Sequence, residues 1–434
     1  RFFGKNMNKP MATTASNMWS PAGKPVAPST TPVGRNPERE PPAKAGARVE
    51  GLNGQRGMIL FTSLLVLSLL ITVGVGTRIM LTNDYKISGN LRLSTDAFYL
   101  AEAGIEWSKR EISVTSSHPP ILASRAQSFS SGAFSVAFPS STAVTLLSAK
   151  IVVRSTGRVG TSTHQLQAQL TKTYDLADGA VGLRGSASRV GFSGNSFLIT
   201  GADHDPATSA PVAGTRSRPA ITVSGDSLRN ALVAGLDVSQ QSNIVGAGGA
   251  TPDITKSSHI PGAAVTQFAN DLCSSAQATP LAVPADGTLS VESQQWGTPS
   301  LPQLRCIEGL PGAGDTVRLG GNVSGAGVLV VKNAELIASG PFRWEGLIIV
   351  TGNNVGFTIL GSETKDIYGA VMVNETGTPG SETAILDVRG SMRLFFSRIA
   401  LGRITALIPT SALNNAYGFL PSNVTQDYWR AVTF

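Results

Sequence analysis

Met58–Thr77, MILFTSLLVLSLLITVGVGT, is a run of twenty residues without a charge, closed by Arg56 on one side and Arg78 on the other. As a helix rising about 1.5 Å per residue it covers about 30 Å, the depth of a bilayer's hydrocarbon. A secretory signal would have a shorter apolar core followed by a small-x-small cleavage site, and none follows Thr77. The run therefore predicts a transmembrane helix over 58–78, and every other segment has to be read from its side of that membrane.

Charge sets the expected orientation. Residues 1–57 carry nine Lys or Arg against Glu38, Glu40 and Glu50, so nearly all of the formal +7 precedes the apolar run. Positive flanks are retained in the cytoplasm, which places the N-terminus there, at an inner membrane, and the rest of the chain outside. The remaining residues are close to neutral and show no basic patch with interleaved aromatics, which argues against a nucleic-acid partner. The basic leader 1–57 is rich in Pro, Ala, Ser, Thr and Gly with no apolar periodicity, so it is expected to be disordered.

Beyond the membrane the helical pattern continues over 79–112. Ala97, Leu100, Ala101, Gly104 and Ile105 recur at three- and four-residue steps, while Asp96, Glu102, Glu106, Lys109 and Arg110 mostly lie elsewhere around the helix. Gly89 is the expected weak point. Residues 113–175 change to strand patterns: GAFSVAF (132–138), AKIVVRSTGRV (149–159) and QLQAQLTKTY (165–174), with turn residues in STGRVGTST. They predict a small antiparallel sheet that covers the helix's apolar stripe, since one such sheet cannot bury its own inner face.

From 176 to 402 the chain is rich in Gly, Ser and Val. Gly327-Val-Leu-Val-Val, Gly346-Leu-Ile-Ile-Val and Gly369-Ala-Val-Met-Val each set four apolar residues behind a glycine, with secondary runs ELIASG and VGFTILGS between them and AILDVRGS after. Strand-turn-strand units near twenty residues predict a β-rich C-terminal domain built as a β-solenoid, with a β-sandwich as the alternative. Residues 403–434 read as a C-terminal tail. The fold class is α+β.

Sites for chemistry are sparse. Cys273 and Cys306 fit no zinc spacing; a disulfide and two unpaired buried thiols both remain open. His118, His164, His204 and His259 form no metal or nucleophile motif. Asp203-His204-Asp205 has the donors of a cation loop but reads as a solvated turn before Pro206. Gly246-Ala-Gly-Gly-Ala lacks the Lys-Ser/Thr of a phosphate loop. Asp366, Glu375 and Asp387 supply the acids a solenoid glycan-cleaving site would need, and read as surface. No catalytic residue, metal site or cofactor is assigned, and the chain is not expected to be an enzyme.

Three stretches carry a family resemblance. Gln55-Arg56-Gly57 before Met58 resembles a prepilin cleavage site; ISGNLRLSTDAFYLAEAGIEW, with Ala101-Glu102-Ala103-Gly104, is similar to the post-membrane helix of PilX-type minor pilins; AKIVVRSTGRVG resembles the strand-turn-strand after it. The resemblance implies a structural pilus subunit of the type IV pilin-like superfamily, cut by prepilin peptidase between Gly57 and Met58. Other pilins or pseudopilins would bind the N-terminal helix, and the β domain would meet a surface ligand in adhesion. Thr62 stands where major pilins have a Glu thought to pair with a neighbour's new amino terminus. That departure is shared with the K-type pseudopilin of type II secretion, placed at a filament tip, which is one alternative. The other is a tethered solenoid that binds or cleaves polysaccharide.

Overall fold

The computed structural model describes residues 55–185, 189–247, 249–377 and 384–432. The leader up to Gly54 lies outside the described residues. The chain divides into two units, Arg1–Ile79 and Met80–Phe434. In the first, the described part belongs to helix α1 (Gln55–Val114). Its large side chains from Met58 to Ile79 are all more than half exposed, which is costly in water and favourable in hydrocarbon.

In the second unit α1 is assigned as helix straight through Gly89, with no break at the predicted weak point, and ends at Val114. It lies on an antiparallel sheet of β1 (Arg125–Phe129), β2 (Gly132–Thr145), β3 (Ser148–Val159) and β4 (Ser162–Tyr174). Along β3 every second residue is buried, Ala149, Ile151, Val153, Ser155, Gly157 and Val159, the period of a sheet with one covered face. The turn after β3 is confined to Gly160 and Thr161, with Gly160 at φ +56°; the preceding Ser-Thr-Gly-Arg-Val, read as turn residues, is strand.

The β-rich region begins with β5 (Val181–Arg184), β6 (Arg189–Phe192), β7 (Phe197–Thr200) and β8 (Ile221–Val223). Helices α2 (Asp226–Ala234) and α3 (Val238–Gln241) follow, then β9 (Ile244–Val245), β10 (Ile254–Lys256) and α4 (Gly262–Cys273). After α4 the chain forms β11 (Ala278–Ala282), β12 (Thr288–Glu292), β13 (Gln295–Trp296), β14 (Gln303–Glu308), β15 (Asp315–Gly320) and β16 (Val323–Lys332). It continues as β17 (Ala334–Ala338), β18 (Phe342–Gly352), β19 (Phe357–Gly361), β20 (Lys365–Glu375), β21 (Ala384–Gly390) and β22 (Met392–Phe396). Two sheets are built from them. One runs β10-β8-β5-β20-β18-β16-β14-β11, the other β12-β15-β17-β19-β21-β6. All their pairings are parallel.

The glycine-led repeats sit in register here. Gly327 pairs with Gly346, and Gly346 with Gly369. Each has φ +139°, and a Cβ on any of them would collide with the carbonyl oxygen of the strand beside it, so only glycine fits. Two of them, Gly327 and Gly369, mark a change of partner on one side of their strand. In β20, Asp366–Gly369 pair with β22 and Val371–Asn374 with β5; in β16, Ser324 and Gly325 pair with β13, and Gly327 onward with β14. The aliphatic residues that follow form the apolar core, with Val328–Val331, Leu347–Val350 and Val371 fully buried.

Of residues 403–434, expected as a tail, the described part up to 432 is built mainly of helix, turn and strand. Helix α5 (Arg398–Arg403) and a 3-10 turn lead to α6 (Thr410–Ala416), and β23 (Ser422–Ala431) pairs antiparallel with β4 as the fifth strand of the small sheet. Ser422 lies opposite Tyr174, and the Asp175 N–H donates to Pro421 O at 2.9 Å. The β-rich region is therefore an insertion between two paired strands, not a domain appended after the sheet. Its ends are clamped by aromatic contacts: Tyr417 OH donates to Leu146 O at 2.6 Å, and the Tyr174 and Tyr417 rings lie 4.9 Å apart with His118 against both.

Candidate functional site

The stretch singled out by its motif is where α1 meets the sheet. Ala97, Ala101, Ile105, Ser108 and Ile112 are buried along one face, spaced three and four apart as a helix requires. Gly104 lies against Ser155 and Phe134, and Gly157 of β3 lies against the backbone of Ala97 and Ala101; a Cβ at either glycine would overlap its neighbour. Small residues on both sides thus let helix and sheet backbones approach closely. Of Ala101-Glu102-Ala103-Gly104, the first and last face the sheet while Glu102 and Ala103 are exposed.

The far end of this seat holds a residue that pattern reading missed. Lys172 occupies an inward position of β4 and is 1% exposed. Its Nζ donates to Ile112 O at 2.7 Å and Thr115 O at 2.6 Å, and lies 4.7 Å from the Tyr174 ring. A cation there satisfies carbonyls that a helix C-terminus leaves without partners and complements its dipole. Burial pulls the Lys172 pKa down to about 8, and burial also lowers that of His118 nearby. The signal was available: in QLQAQLTKTY, Lys172 shares the parity of Leu166, Ala168 and Leu170.

At the other end of α1, Met58 is exposed and Gly57 lies within the helix. Thr62 Oγ1 donates within its own helix, to Met58 O and Ile59 O at 3.0 Å each. Thr72 and Thr77 do the same with Ser68 O and Val73 O, which lets hydroxyls enter hydrocarbon without unsatisfied donors.

Cys273, ending α4, is disulfide-bonded to Cys306 in β14, with Cα atoms 5.7 Å apart. The helix carries the chain from β10, at one edge of its sheet, back to β11 at the opposite edge, and the bond fixes the end of that crossing.

The remaining candidates are occupied by structural partners. Asp203 accepts from the Arg398 N–H at 2.8 Å, His204 Nδ1 bonds Ala202 O at 2.7 Å, and Asp205 accepts from the Ala207 N–H at 2.9 Å. His164 bonds Ser94 Oγ. The three acids read as surface are instead buried. Asp366 takes a two-pronged pair from Arg393, Asp387 pairs with Arg389, and Glu375 accepts backbone N–H groups of Asn354, Val355 and Gly377. Their burial is offset by these local partners, as a buried carboxylate requires. Among the described residues no group of three or more His, Cys, Asp or Glu could hold a metal ion.

The single apolar helix that continues onto a small antiparallel sheet is an arrangement similar to that of type IV pilin-like proteins. More narrowly, residues 56–106 match the family model described as PilX N-terminal, the segment that contains the apolar run and the Ala101–Gly104 seat. A comparison with curated proteins finds no match. Among solved structures the chain is similar to the competence-associated pilin ComZ from Thermus thermophilus, at 12% identity over 78% of this chain and 98% of that one. The TM-score of 0.21 is too low for that likeness to bear on the fold.

Proposed function

We propose that this chain is a PilX-type minor pilin that enters a type IV filament through α1 and carries its β-rich insertion outward. The observation that supports this most is that the matched segment, 56–106, contains both the exposed apolar helix and the small-residue seat. In this reading prepilin peptidase cuts between Gly57 and Met58, the leader stays cytoplasmic, and Met58–Thr77 packs with the helices of other pilins or pseudopilins. The parallel strands that alternate between two sheets are successive coils of one β-solenoid; what favours coils is the in-register return of Gly327, Gly346 and Gly369. The role is structural, in assembly or initiation and in adhesion, and not enzymatic. The Cys273–Cys306 bond is formed outside the cytoplasm, where disulfides persist.

Thr62 favours one variant of this reading. A subunit without a carboxylate at that depth lacks the group that would pair with a neighbour's amino terminus, which suits a tip or initiating position, as for a type II secretion pseudopilin of the K type.

The test is the amino-terminal sequence of the protein from membranes with and without active prepilin peptidase. The reading predicts a methylated terminus at Met58 that depends on the peptidase. An uncut chain in both would overturn it.

A further inference from the structure

The flank of the inserted region holds a cavity of about 380 Å³ whose polar side chains include two arginines and a lysine. Its one acidic lining residue, Asp178, is already neutralised: Arg184 donates to it at 2.6 Å and Thr222 Oγ1 at 2.8 Å, and this buried pair is tied down by Arg184 Nε to Ile260 O at 2.6 Å. The walls carry Arg216, Arg218, Lys256 and His259 with the hydroxyls of Ser217 and Ser257. Arg218 pairs with Asp175, but Asp175 is shared with Arg398, and Arg218 Nε is buried without a partner among the described residues. Lys256 pairs at 2.7 Å with Asp226, where both side chains are more than half exposed, so the pair is weak and exchangeable. The Arg216 side chain is in no ion pair among the described residues.

We propose that this cavity binds an oxyanion group: phosphate, sulfate or the carboxylate of an acidic sugar, free or carried on a saccharide. Planar guanidinium donors, an ammonium and hydroxyls around one concavity are the donor set that recognises such groups. Use of the site on a cell surface rests on the reading that the region is displayed, whereas binding itself does not.

The experiment is calorimetric titration of the full chain in detergent at fixed ionic strength, with inorganic phosphate, inorganic sulfate and glucuronate as separate arms. Wild type, Arg216→Gln, Lys256→Gln and the distant control Arg110→Gln are compared, with thermal unfolding as the check on folding. Saturable binding in at least one arm is expected, weakened about tenfold by each cavity variant and unchanged in the control. The arm that binds most tightly tells a free ion from a sugar-borne group. No saturable binding in any arm, or equal binding by the cavity variants, would overturn the proposal. Protease access to the region on intact cells tests display separately, so failure of one does not mimic failure of the other.

Discussion

The helix-bearing sheet and the region inserted in it both need glycine for close packing, but they use it in opposite ways. At the α1 seat, Gly104 and Gly157 face each other's elements across a layer and let a helix backbone approach a strand. In the insertion, Gly327, Gly346 and Gly369 lie side by side within one sheet, each leaving room for its neighbour's carbonyl. The first arrangement is local and tolerates variation elsewhere. The second is a ladder in which one side chain strains several strands, so the two regions should fail differently when glycine is replaced.

Substitution in the ladder should do the most damage. Gly346→Val puts a branched side chain at φ +139° and against Gly327 O; a loss of about 4 kcal/mol or more is expected, seen as rapid proteolysis within 176–420. Gly157→Val should cost about 3 kcal/mol and expose the α1–sheet contact to protease while the insertion stays resistant. Equal effects in both regions would break the comparison.

Removing the disulfide by Cys273→Ser should cost about 2 to 3 kcal/mol, read as a lower denaturation midpoint, with new cleavage around α4. Lys172→Met should cost about 2 kcal/mol, because the carbonyls of Ile112 and Thr115 lose a charged donor. That variant also has a pH signature. Between about pH 8 and 10 the unfolded chain keeps a proton that folded Lys172 has released, so this residue makes stability rise with pH in that window. Tyr174 and Tyr417 are pushed up to about 12 by burial; their contribution is present below pH 10 and lost as pH climbs from 10 to 12. Lys172→Met should flatten the rise and leave the later fall, as urea titrations across pH would report. Glu102→Gln, on the exposed face, should stay within about 0.5 kcal/mol in the same titrations.

Much of this architecture was legible because it is periodic. The apolar run, the stripe through Ala97, Ala101 and Ile105, the alternation of β3 and the glycine-led repeats are all patterns of adjacent residues. What escaped was non-local. SNVTQDYWRA has no clean alternation, and its burial fades from half-buried to exposed, since β23 is an edge strand; nothing in its spacing says that it pairs with β4 some 250 residues earlier. Without that pairing the insertion looks like an appendage. Lys172 was missed for another reason: a charge in a strand is ordinarily solvated, and only the end of α1 makes an inward lysine favourable. The cationic cavity was hidden in the same way, because Arg216 and Lys256 are forty residues apart and meet only across β8 and β10.

The central claim is that assembly belongs to α1 with its five-stranded sheet, and that residues 175–421 are an insertion this part does not need. The most direct measurement replaces 176–420 by a short Gly-containing turn joining β4 to β23 and scores the shortened chain in sheared filament fractions. The account predicts that it is processed at Met58 and recovered with filaments as the full chain is. A shortened chain that folds, as judged by protease resistance of the sheet, yet never enters filaments would contradict it.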